Sequence, residues 1–331
     1  MSTNSKVVVS GIRATGRLHL GNLIGAMQNF PPLQDVYQCY FFVADYHTLT
    51  TLPDPQLLRE NLPEIVLDYL AAGLDPVKSV IFAQSSVPEI TELATLLGMV
   101  SMVGELQRCP TFKEKVAKNP DNVNLGLFSY PVLMAADILI QKANVVPVGA
   151  DQIPHIELTQ TIATRFNYRF NRQFFPIPEA LEERAIRVPG IDGSGKMGKS
   201  DGNTIDLKDS PEVIRKKIMG AVTDIKRARR TDPGHPFECN LYALHEFVNK
   251  EADVQEIRLD CEGAKIGCVD CKQKLAAAII EYLAPFQARR AEIEKIPDYI
   301  QDILHDGGQQ ARKSAVQTVD EVRSLMGLER Y

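Results

Sequence analysis

The chain lacks tryptophan altogether, and only 7% of its 331 residues are aromatic. It also lacks any apolar run that approaches the ~20 residues needed to cross a bilayer, and Met1 to Lys6 lack the apolar stretch of a secretory signal. We therefore expect a cytoplasmic protein with no membrane partner. The formal net charge of −5 excludes a protein that coats nucleic acid indiscriminately, although it permits local basic patches. The length suffices for one large or two ordinary domains.

The N-terminal segment combines a short strand with a glycine-containing turn. Val7 to Val9 form a β-branched run typical of a buried strand, and His19-Leu20-Gly21-Asn22 leads into apolar positions spaced for a helix. Such a helix start presents backbone N–H groups to a phosphate, and His19 can donate to a phosphate oxygen. An ordinary strand-to-helix turn with a surface histidine fits as well, because short glycine motifs are common.

A second glycine-rich segment, 193–203, carries Lys196 and Lys199 on either side of Met197 and Gly198. Two ammonium groups on a flexible loop can move onto a polyphosphate and withdraw again. Taken alone, this segment is simply interpreted as a solvated basic loop.

In this order and at this separation, the two motifs resemble the two signatures of class I aminoacyl-tRNA synthetases. His19-Leu20-Gly21-Asn22 takes the place of the HIGH tetrad, and Lys196-Met197-Gly198-Lys199-Ser200 takes the place of the KMSKS loop. Both signatures bind ATP in that family. Gly198 stands where a serine is usual, and Arg13 stands where many members have glutamine.

Short apolar strands alternate with helical patterns over the first 207 residues. Besides the first strand, we predict strands at 40–45, 79–84 and 145–149, a helix from Pro55 with a bend or restart at Pro63, and a helix over 88–105. This alternation predicts an α/β fold with a Rossmann-like, doubly wound parallel sheet. Ligands bind at the carboxyl ends of such strands, and four polar residues fall there: Arg13, His47, Gln84 and Asp151.

The remainder of the chain is predicted to be helical. Ser210 is placed as an N-cap before Pro211, and helical patterns cover 213–222, 240–250, 272–292 and 309–326. We divide the chain into a catalytic domain, 1–207, which includes the 193–203 loop, and a smaller helical domain, 208–305. By the family resemblance, that domain binds the tRNA anticodon and a final helix, 306–331, packs back on the catalytic domain.

The segment 130–139 is apolar and helical with a single carboxylate. Tyr130, Met134 and Asp137 are spaced for one helix face. An apolar pocket with one buried acceptor suits a large, flat side chain with one N–H, since the wrong ligand leaves the acceptor unpaired. A helix cap or a surface ion pair would explain the same carboxylate.

The segment resembles the tryptophan-binding helix of bacterial tryptophanyl-tRNA synthetases, in which the aspartate accepts the indole N–H and the methionine packs on the ring. The segments 146–158 and 104–108 match that family too. The resemblance covers essentially the whole chain, and tyrosine-specific relatives carry other residues in these places. It implies a tryptophan site built from Tyr130, Met134, Asp137 and His47.

The resemblance implies a ligase that activates L-tryptophan with ATP and Mg²⁺, charges tRNA(Trp), and is a homodimer. A tryptophan-activating paralogue with a regulatory role, another adenylyl-transferring enzyme and a tyrosine-specific relative are the alternatives. The implied catalytic residues are His19, Asn22, Lys115, Lys196 and Lys199. The implied ATP-binding residues are Arg13, Ala14, Thr15, Gly21, Asn22, Gly149, Ala150, Asp151, Gln152, Val188, Lys196, Met197, Gly198, Lys199 and Ser200.

Four of the six cysteines are concentrated in the predicted helical domain, at Cys239, Cys261, Cys268 and Cys271. Disulfides are rare in the cytoplasm, so a Cys-x2-Cys pair near two further cysteines indicates a metal site. Spacing alone fits zinc or a [4Fe–4S] cluster. The layout resembles that of a subset of tryptophanyl-tRNA synthetases with a [4Fe–4S] cluster, which we prefer to zinc. Cys39 and Cys109 are expected in the core.

Overall fold

The computed structural model describes residues 6–51, 54–118, 120–182, 188–198 and 201–329, with the backbone alone at 111, 114, 115, 118 and 182. The chain divides into two compact units. We call them the sheet unit, which comprises the described parts of Met1–Gly16, Asn29–Ala185 and Ile296–Tyr331, and the helical unit, which comprises those of Arg17–Gln28 and Ile186–Lys295.

The sheet unit is built around a parallel sheet. Its strands are β1 (Val7–Ile12), β2 (Gln38–Val43), β3 (Ser79–Ala83), β4 (Val145–Val148) and β5 (Glu179–Glu182). Their order, β3-β2-β1-β4-β5, reverses its direction of growth between β1 and β4, as in a doubly wound fold. The predicted α/β class and the four predicted strands are confirmed. The edge strand β5 was not predicted, because Glu-Ala-Leu-Glu carries only two apolar residues and pairs with β4 alone.

The helices are numbered along the chain through both units. They are α1 (Leu20–Gly25), α2 (Phe30–Leu33), α3 (Asp45–Leu49), α4 (Pro55–Ala71), α5 (Glu89–Gly98), α6 (Val103–Arg108), α7 (Pro110–Lys118), α8 (Leu125–Ile140), α9 (Ile153–Arg169), α10 (Pro211–Gly220), α11 (Asn240–Val248), α12 (Glu251–Glu262), α13 (Cys268–Ile293) and α14 (Tyr299–Leu325). None of the described helices is both long and apolar enough to cross a membrane.

Two helix predictions in the sheet unit need correction. The helix from Pro55 does not restart at Pro63, because α4 runs through it; the carbonyl of the exposed Arg59, which loses its partner there, can bond to water. The predicted helix over 88–105 is two helices, α5 and α6. Val100 lies between these two helices, and Arg165 of α9 donates to its carbonyl at 2.8 Å. This carbonyl therefore makes its hydrogen bond to a side chain and not to a helix backbone.

The helical unit follows the predicted pattern with one addition. Ser210 caps α10 by accepting the N–H of Val213, as predicted. The helix α12 was not predicted as a separate element, because it is mostly polar and only Val254 and Ile257 are buried.

The C-terminal helix α14 belongs to the sheet unit and packs on β3 and α5. Ala311, Ala315, Val319 and Val322 are fully buried in its apolar face. Gly307 lies directly against the β3 backbone, where a Cβ would overlap the carbonyl oxygen of Ile81. The helix can approach the strand this closely only because position 307 has no side chain.

We expect Gly307→Ala to lower the free energy of unfolding by about 1–3 kcal/mol, because helix and strand must separate. The matched control is Gly98→Ala in α5, where a Cβ meets no atom within 4 Å and the helix propensity of alanine adds up to ~1 kcal/mol. Thermal unfolding of both variants measures the difference. Equal midpoints would contradict the close approach.

Candidate active site

The two signature motifs lie side by side in the helical unit. The N–H of Leu20 donates to the carbonyl of Ile205 at 2.8 Å, and the N–H of Leu207 donates to the carbonyl of Leu18 at 3.0 Å. We call the segment 193–203 the lysine loop. It reaches the tetrad, since a Cβ on Gly21 would lie 3.5 Å from the Cβ of Met197. Two segments far apart in sequence thus form one structural element.

His19 precedes α1 and is 6% exposed. Its backbone N–H donates to Oδ1 of Asn22 at 3.1 Å, so two residues of the tetrad hold each other. A Cβ on Gly21 would lie 3.0 Å from Nδ1 of His19, closer than an ordinary contact. Glycine at position 21 therefore leaves room for the imidazole ring of His19.

The lysine loop is held by a buried amide. Asn203, only 1% exposed, accepts the N–H of Gly198 at 2.8 Å and donates to Oδ1 of Asp192 at 2.9 Å. Hydrogen bonds from Ser194 and Asn203 lower the pKa of the Asp192 carboxyl. Asn203 was not predicted, because an asparagine after a glycine usually indicates only a turn. The loop conformation therefore depends on a side chain outside the signature.

The loop residues predicted to bind ATP differ in exposure. Lys196 is exposed, whereas Met197 is buried and its N–H donates to the carbonyl of Val188 at 2.9 Å. A Cβ on Gly198 would overlap the carboxylate of Asp201, so a serine there would require that side chain to move. Lys199 and Ser200 lie outside the described residues.

The other predicted ATP-binding residues lie in the sheet unit, at the carboxyl ends of the adjacent strands β1 and β4. Arg13, Ala14 and Thr15 follow β1, and 149–152 follow β4. The N–H of Ala14 donates to the hydroxyl of Thr48 at 2.9 Å. Burial lowers the pKa of the Arg13 guanidinium. These residues flank the point at which the strand order reverses, where ligands bind in folds of this class.

The residues predicted to bind tryptophan are brought together in the sheet unit. Asp137 on α8 is 4% exposed, and Nε2 of His47 lies 2.8 Å from its Oδ2. The ring of Tyr130 meets the His47 ring edge-on, with 6.2 Å between the centroids. Met134 is half-buried on the same helix. Burial raises the pKa of the Asp137 carboxyl, against the opposing effect of hydrogen bonds from His47 and Gln84.

Two further buried polar residues contact the residues predicted to bind tryptophan. Nε2 of Gln84 donates to Oδ1 of Asp137 at 2.7 Å, and Nε2 of His155 lies 3.0 Å from the Tyr130 hydroxyl. Gln84 was predicted only to lie at a strand end, and His155 was not singled out as a site residue. For His155 the available signal was a lone histidine one turn into the α9 pattern.

Lys115, the remaining predicted catalytic residue, belongs to α7. Its side chain lies outside the described part of the structure.

The four cysteines predicted to bind metal line one cavity of the helical unit. Cys239 precedes α11, Cys261 lies at the end of α12, and Cys268 and Cys271 lie in the first turn of α13. Burial and the neighbouring thiols raise the pKa of Cys271 to about 12. Among the described residues, no three side chains of His, Cys, Asp or Glu are placed to hold a single metal ion.

The two remaining cysteines lie where they were expected. Cys39 and Cys109 are 1% and 6% exposed, so both belong to the core.

Comparisons with known proteins identify the family of the chain. A family model described as tRNA synthetases class I (W and Y) matches residues 1–284, and the chain belongs to this family. Within it, the tryptophan--tRNA ligase of Thermotoga maritima is 45% identical over 326 residues, covering 97% of this chain and 99% of that protein. The tryptophan--tRNA ligase of Porphyromonas gingivalis is 43% identical over 325 residues, with coverage of 97% and 99%.

A solved structure places the chain on the tryptophan side of the family. The crystal structure of tryptophanyl-tRNA synthetase from Campylobacter jejuni, complexed with ADP and tryptophan, has a TM-score of 0.87 and 34% identity, and covers 97% of this chain and 100% of that one. The predicted resemblance to bacterial tryptophanyl-tRNA synthetases is thereby confirmed.

Proposed function

We propose that the protein activates L-tryptophan with ATP and transfers the tryptophanyl group to the 3′ end of tRNA(Trp). The observation that carries this proposal is the Asp137 carboxylate, which is buried in an apolar helix with a donor on each oxygen. A buried acceptor of this kind selects a ligand that offers an N–H. Membership in the family supplies the reaction class.

The first step joins tryptophan to the α-phosphate of ATP. A carboxylate oxygen of tryptophan forms a bond to the α-phosphorus while the bond to the pyrophosphate oxygen breaks. No general base is needed, because the substrate carboxylate is already ionised. Catalysis then consists of positioning and of stabilising the charge that develops on pyrophosphate. We assign that role to His19, Asn22, Lys115, Lys196 and Lys199.

The second step transfers the tryptophanyl group. A ribose hydroxyl of the terminal tRNA nucleotide attacks the carbonyl carbon of the adenylate and releases its proton to solvent, and AMP leaves with the bonding electron pair. In the first step, Mg²⁺ bound to the polyphosphate of ATP would neutralise part of the charge that His19, Lys115, Lys196 and Lys199 are assigned to stabilise.

The nucleotide is assigned to the residues that match the family signatures and their neighbours. Gly21 and the lysine loop approach one another within the helical unit, which supports a common ligand for them. Lys196, exposed on that loop, is free to follow the polyphosphate. The full assignment comprises Arg13, Ala14, Thr15, Gly21, Asn22, Gly149, Ala150, Asp151, Gln152, Val188, Lys196, Met197, Gly198, Lys199 and Ser200.

We further propose that Cys239, Cys261, Cys268 and Cys271 hold a [4Fe–4S] cluster, with Zn²⁺ as the second choice. The donor set fits, because four thiols line one cavity. A tetrahedral zinc at about 2.3 Å from each sulfur needs the four sulfurs nearly in mutual contact, whereas a cluster spreads them over its corners. Among the described residues no three donor side chains are placed to hold a single metal ion, so the preference for the cluster rests on the resemblance of the cysteine layout to that of synthetases that hold one. Bound there, it would link three helices whose own core is small.

The homodimer is a proposal of the same kind. Three large apolar side chains between α5 and the start of α6 are more than half exposed: Met99, Met102 and Val103. An exposed apolar patch of this kind suits the centre of a protein interface.

The pocket assignment predicts that Asp137→Ala lowers tryptophan-dependent ATP–pyrophosphate exchange by a factor on the order of 10² or more, at ~1.4 kcal/mol per decade. ATP binding should hardly change. Since the chain contains no tryptophan, the fluorescence of the ligand measures its binding directly. Asp137→Asn, of the same shape, is the matched variant and should also lose affinity. Equal loss of tryptophan and ATP binding would make Asp137 a scaffold residue.

The lysine assignment predicts that Lys196→Ala depresses the exchange rate far more than tryptophan affinity, because the ammonium acts on charge that develops at pyrophosphate. Lys216→Ala, which removes an exposed lysine from α10, is the control and should leave the rate unchanged. An unchanged rate in Lys196→Ala would reduce this lysine to a solvated surface group.

The cluster assignment predicts a brown protein after anaerobic purification, with about four irons per chain and broad absorbance near 400 nm (roughly the thiolate-to-iron region). Replacing Cys268 and Cys271 by serine should bleach the protein and weaken tRNA charging more than adenylate formation. Cys39→Ala, in the core of the sheet unit, should keep the colour. One zinc without iron would replace the cluster by its alternative, and a metal-free protein would refute the site.

A further inference from the structure

Gln84 is completely buried just after β3, and its amide joins α8 to α3. Nε2 donates to Oδ1 of Asp137 at 2.7 Å, and Oε1 lies 3.4 Å from the backbone nitrogen of His47, whose N–H it accepts. One side chain thus contacts both the carboxylate proposed to bind the indole and the short helix that carries His47.

The two partners of Gln84 allow its amide one orientation. An ionised carboxylate only accepts hydrogen bonds, and a backbone N–H only donates. Rotating the amide by half a turn would place its oxygen against the carboxylate and its NH₂ against the N–H of His47. Gln84 therefore always offers a donor to Asp137.

The second oxygen of Asp137 is occupied from another side. Nε2 of His47 lies 2.8 Å from Oδ2. Because an ionised carboxylate only accepts, this nitrogen must carry the proton, and each carboxylate oxygen then has one protein donor. The terminal torsion of aspartate has broad preferences and does not fix the carboxylate plane by itself. Two donors on two oxygens do fix it, and a lone pair on each oxygen remains for a ligand.

We propose that Gln84 is a positioning residue that sets the specificity for tryptophan, by holding the Asp137 carboxylate in the orientation and the acceptor form that bind an indole N–H. This inference rests on the proposed function, because it requires that Asp137 contact the indole.

The neighbouring charges explain why such a donor is needed. Burial raises the pKa of Asp137, and the nearby Asp45 carboxylate of α3 acts in the same direction. A protonated Asp137 would carry a hydroxyl donor, which does not suit an indole N–H. The hydrogen bonds from Gln84 and His47 oppose both effects. Tyr130 of α8 lies beside His47 as well, with its hydroxyl 3.0 Å from Nε2 of His155.

The test compares tryptophan with its analogue in which sulfur replaces the ring N–H, a ligand of similar shape that offers Asp137 no donor. In Gln84→Met, kcat/KM for tryptophan activation should fall about 10- to 100-fold, the cost of a disturbed buried acceptor. The value for the sulfur analogue should stay within about threefold. Gln141→Met is the matched control, since Gln141 is also buried but donates to the carbonyl of Ala311. It should keep the full preference for tryptophan.

A second variant tests the pH dependence of kcat/KM, which would not change if Gln84 had only a structural role. In Gln84→Glu two carboxyl groups face each other. Repulsion between their negative charges strongly raises the pKa of one of them. As the pH falls and a proton binds, the introduced carboxyl group becomes a donor for Asp137. The kcat/KM of this variant for tryptophan should therefore recover towards the wild-type value at low pH, whereas that of Gln84→Met should not.

The outcomes separate the two proposals. If the wild-type protein distinguishes the two amino acids and Gln84→Met retains that preference or loses both substrates equally, Gln84 only supports the fold and the inference is overturned. If the wild-type protein does not distinguish them, Asp137 does not bind the indole, and the proposed tryptophan site fails along with the inference. Collapse of the preference in Gln84→Met alone, with unchanged ATP binding, supports it.

Discussion

The hydrogen bonds of the buried Asp137 carboxylate connect three segments of the sheet unit. Asp137 lies in an apolar helix, where an ionised group without partners would be costly to desolvate. His47 and Gln84 each donate to one of its oxygens, and they come from segments that follow β2 and β3. Because the three residues must stay within hydrogen-bond distance, the ends of two strands and the last turn of α8 are fixed relative to one another. The selectivity proposed for the pocket thus depends on the same bonds that make the buried charge tolerable.

In the helical unit, the two signature segments are held by backbone hydrogen bonds and by the buried amide of Asn203. The segments around His19 and Asp206 exchange hydrogen bonds, and Asn203 shapes the loop from within. Lys196 is thus exposed, while the backbone of the loop that carries it is held in place. Such an arrangement suits a group that must move with a leaving pyrophosphate while its loop keeps its shape. The cysteine cavity, in the same unit, is lined from the start of α11, the end of α12 and the start of α13, so a bound group would contribute to its stability.

The C-terminal helix shows how one missing side chain can decide the packing. Gly307 lets α14 contact the backbone of β3, and a row of small and branched residues then continues that contact. Arg165 has a local effect of a similar kind, since it donates to the carbonyl of Val100 between α5 and α6, and this carbonyl thus has its partner outside both helices. Both effects depend on partners that are distant in sequence.

Periodicity and motif alone determined the fold class, four of the strands, the start of α10, the positions of the two signatures and the spacing of Tyr130, Met134 and Asp137. These features arise from local preferences and from side chains within a few turns of one another, which a linear pattern records. The edge strand β5, the break between α5 and α6, and the contacts of Gln84, His155 and Asn203 were decided only by the tertiary structure. In each of these cases the energetically important partner lies elsewhere in the fold. A buried polar side chain looks the same in the sequence whether or not a donor from another segment reaches it, and only folding brings the two together.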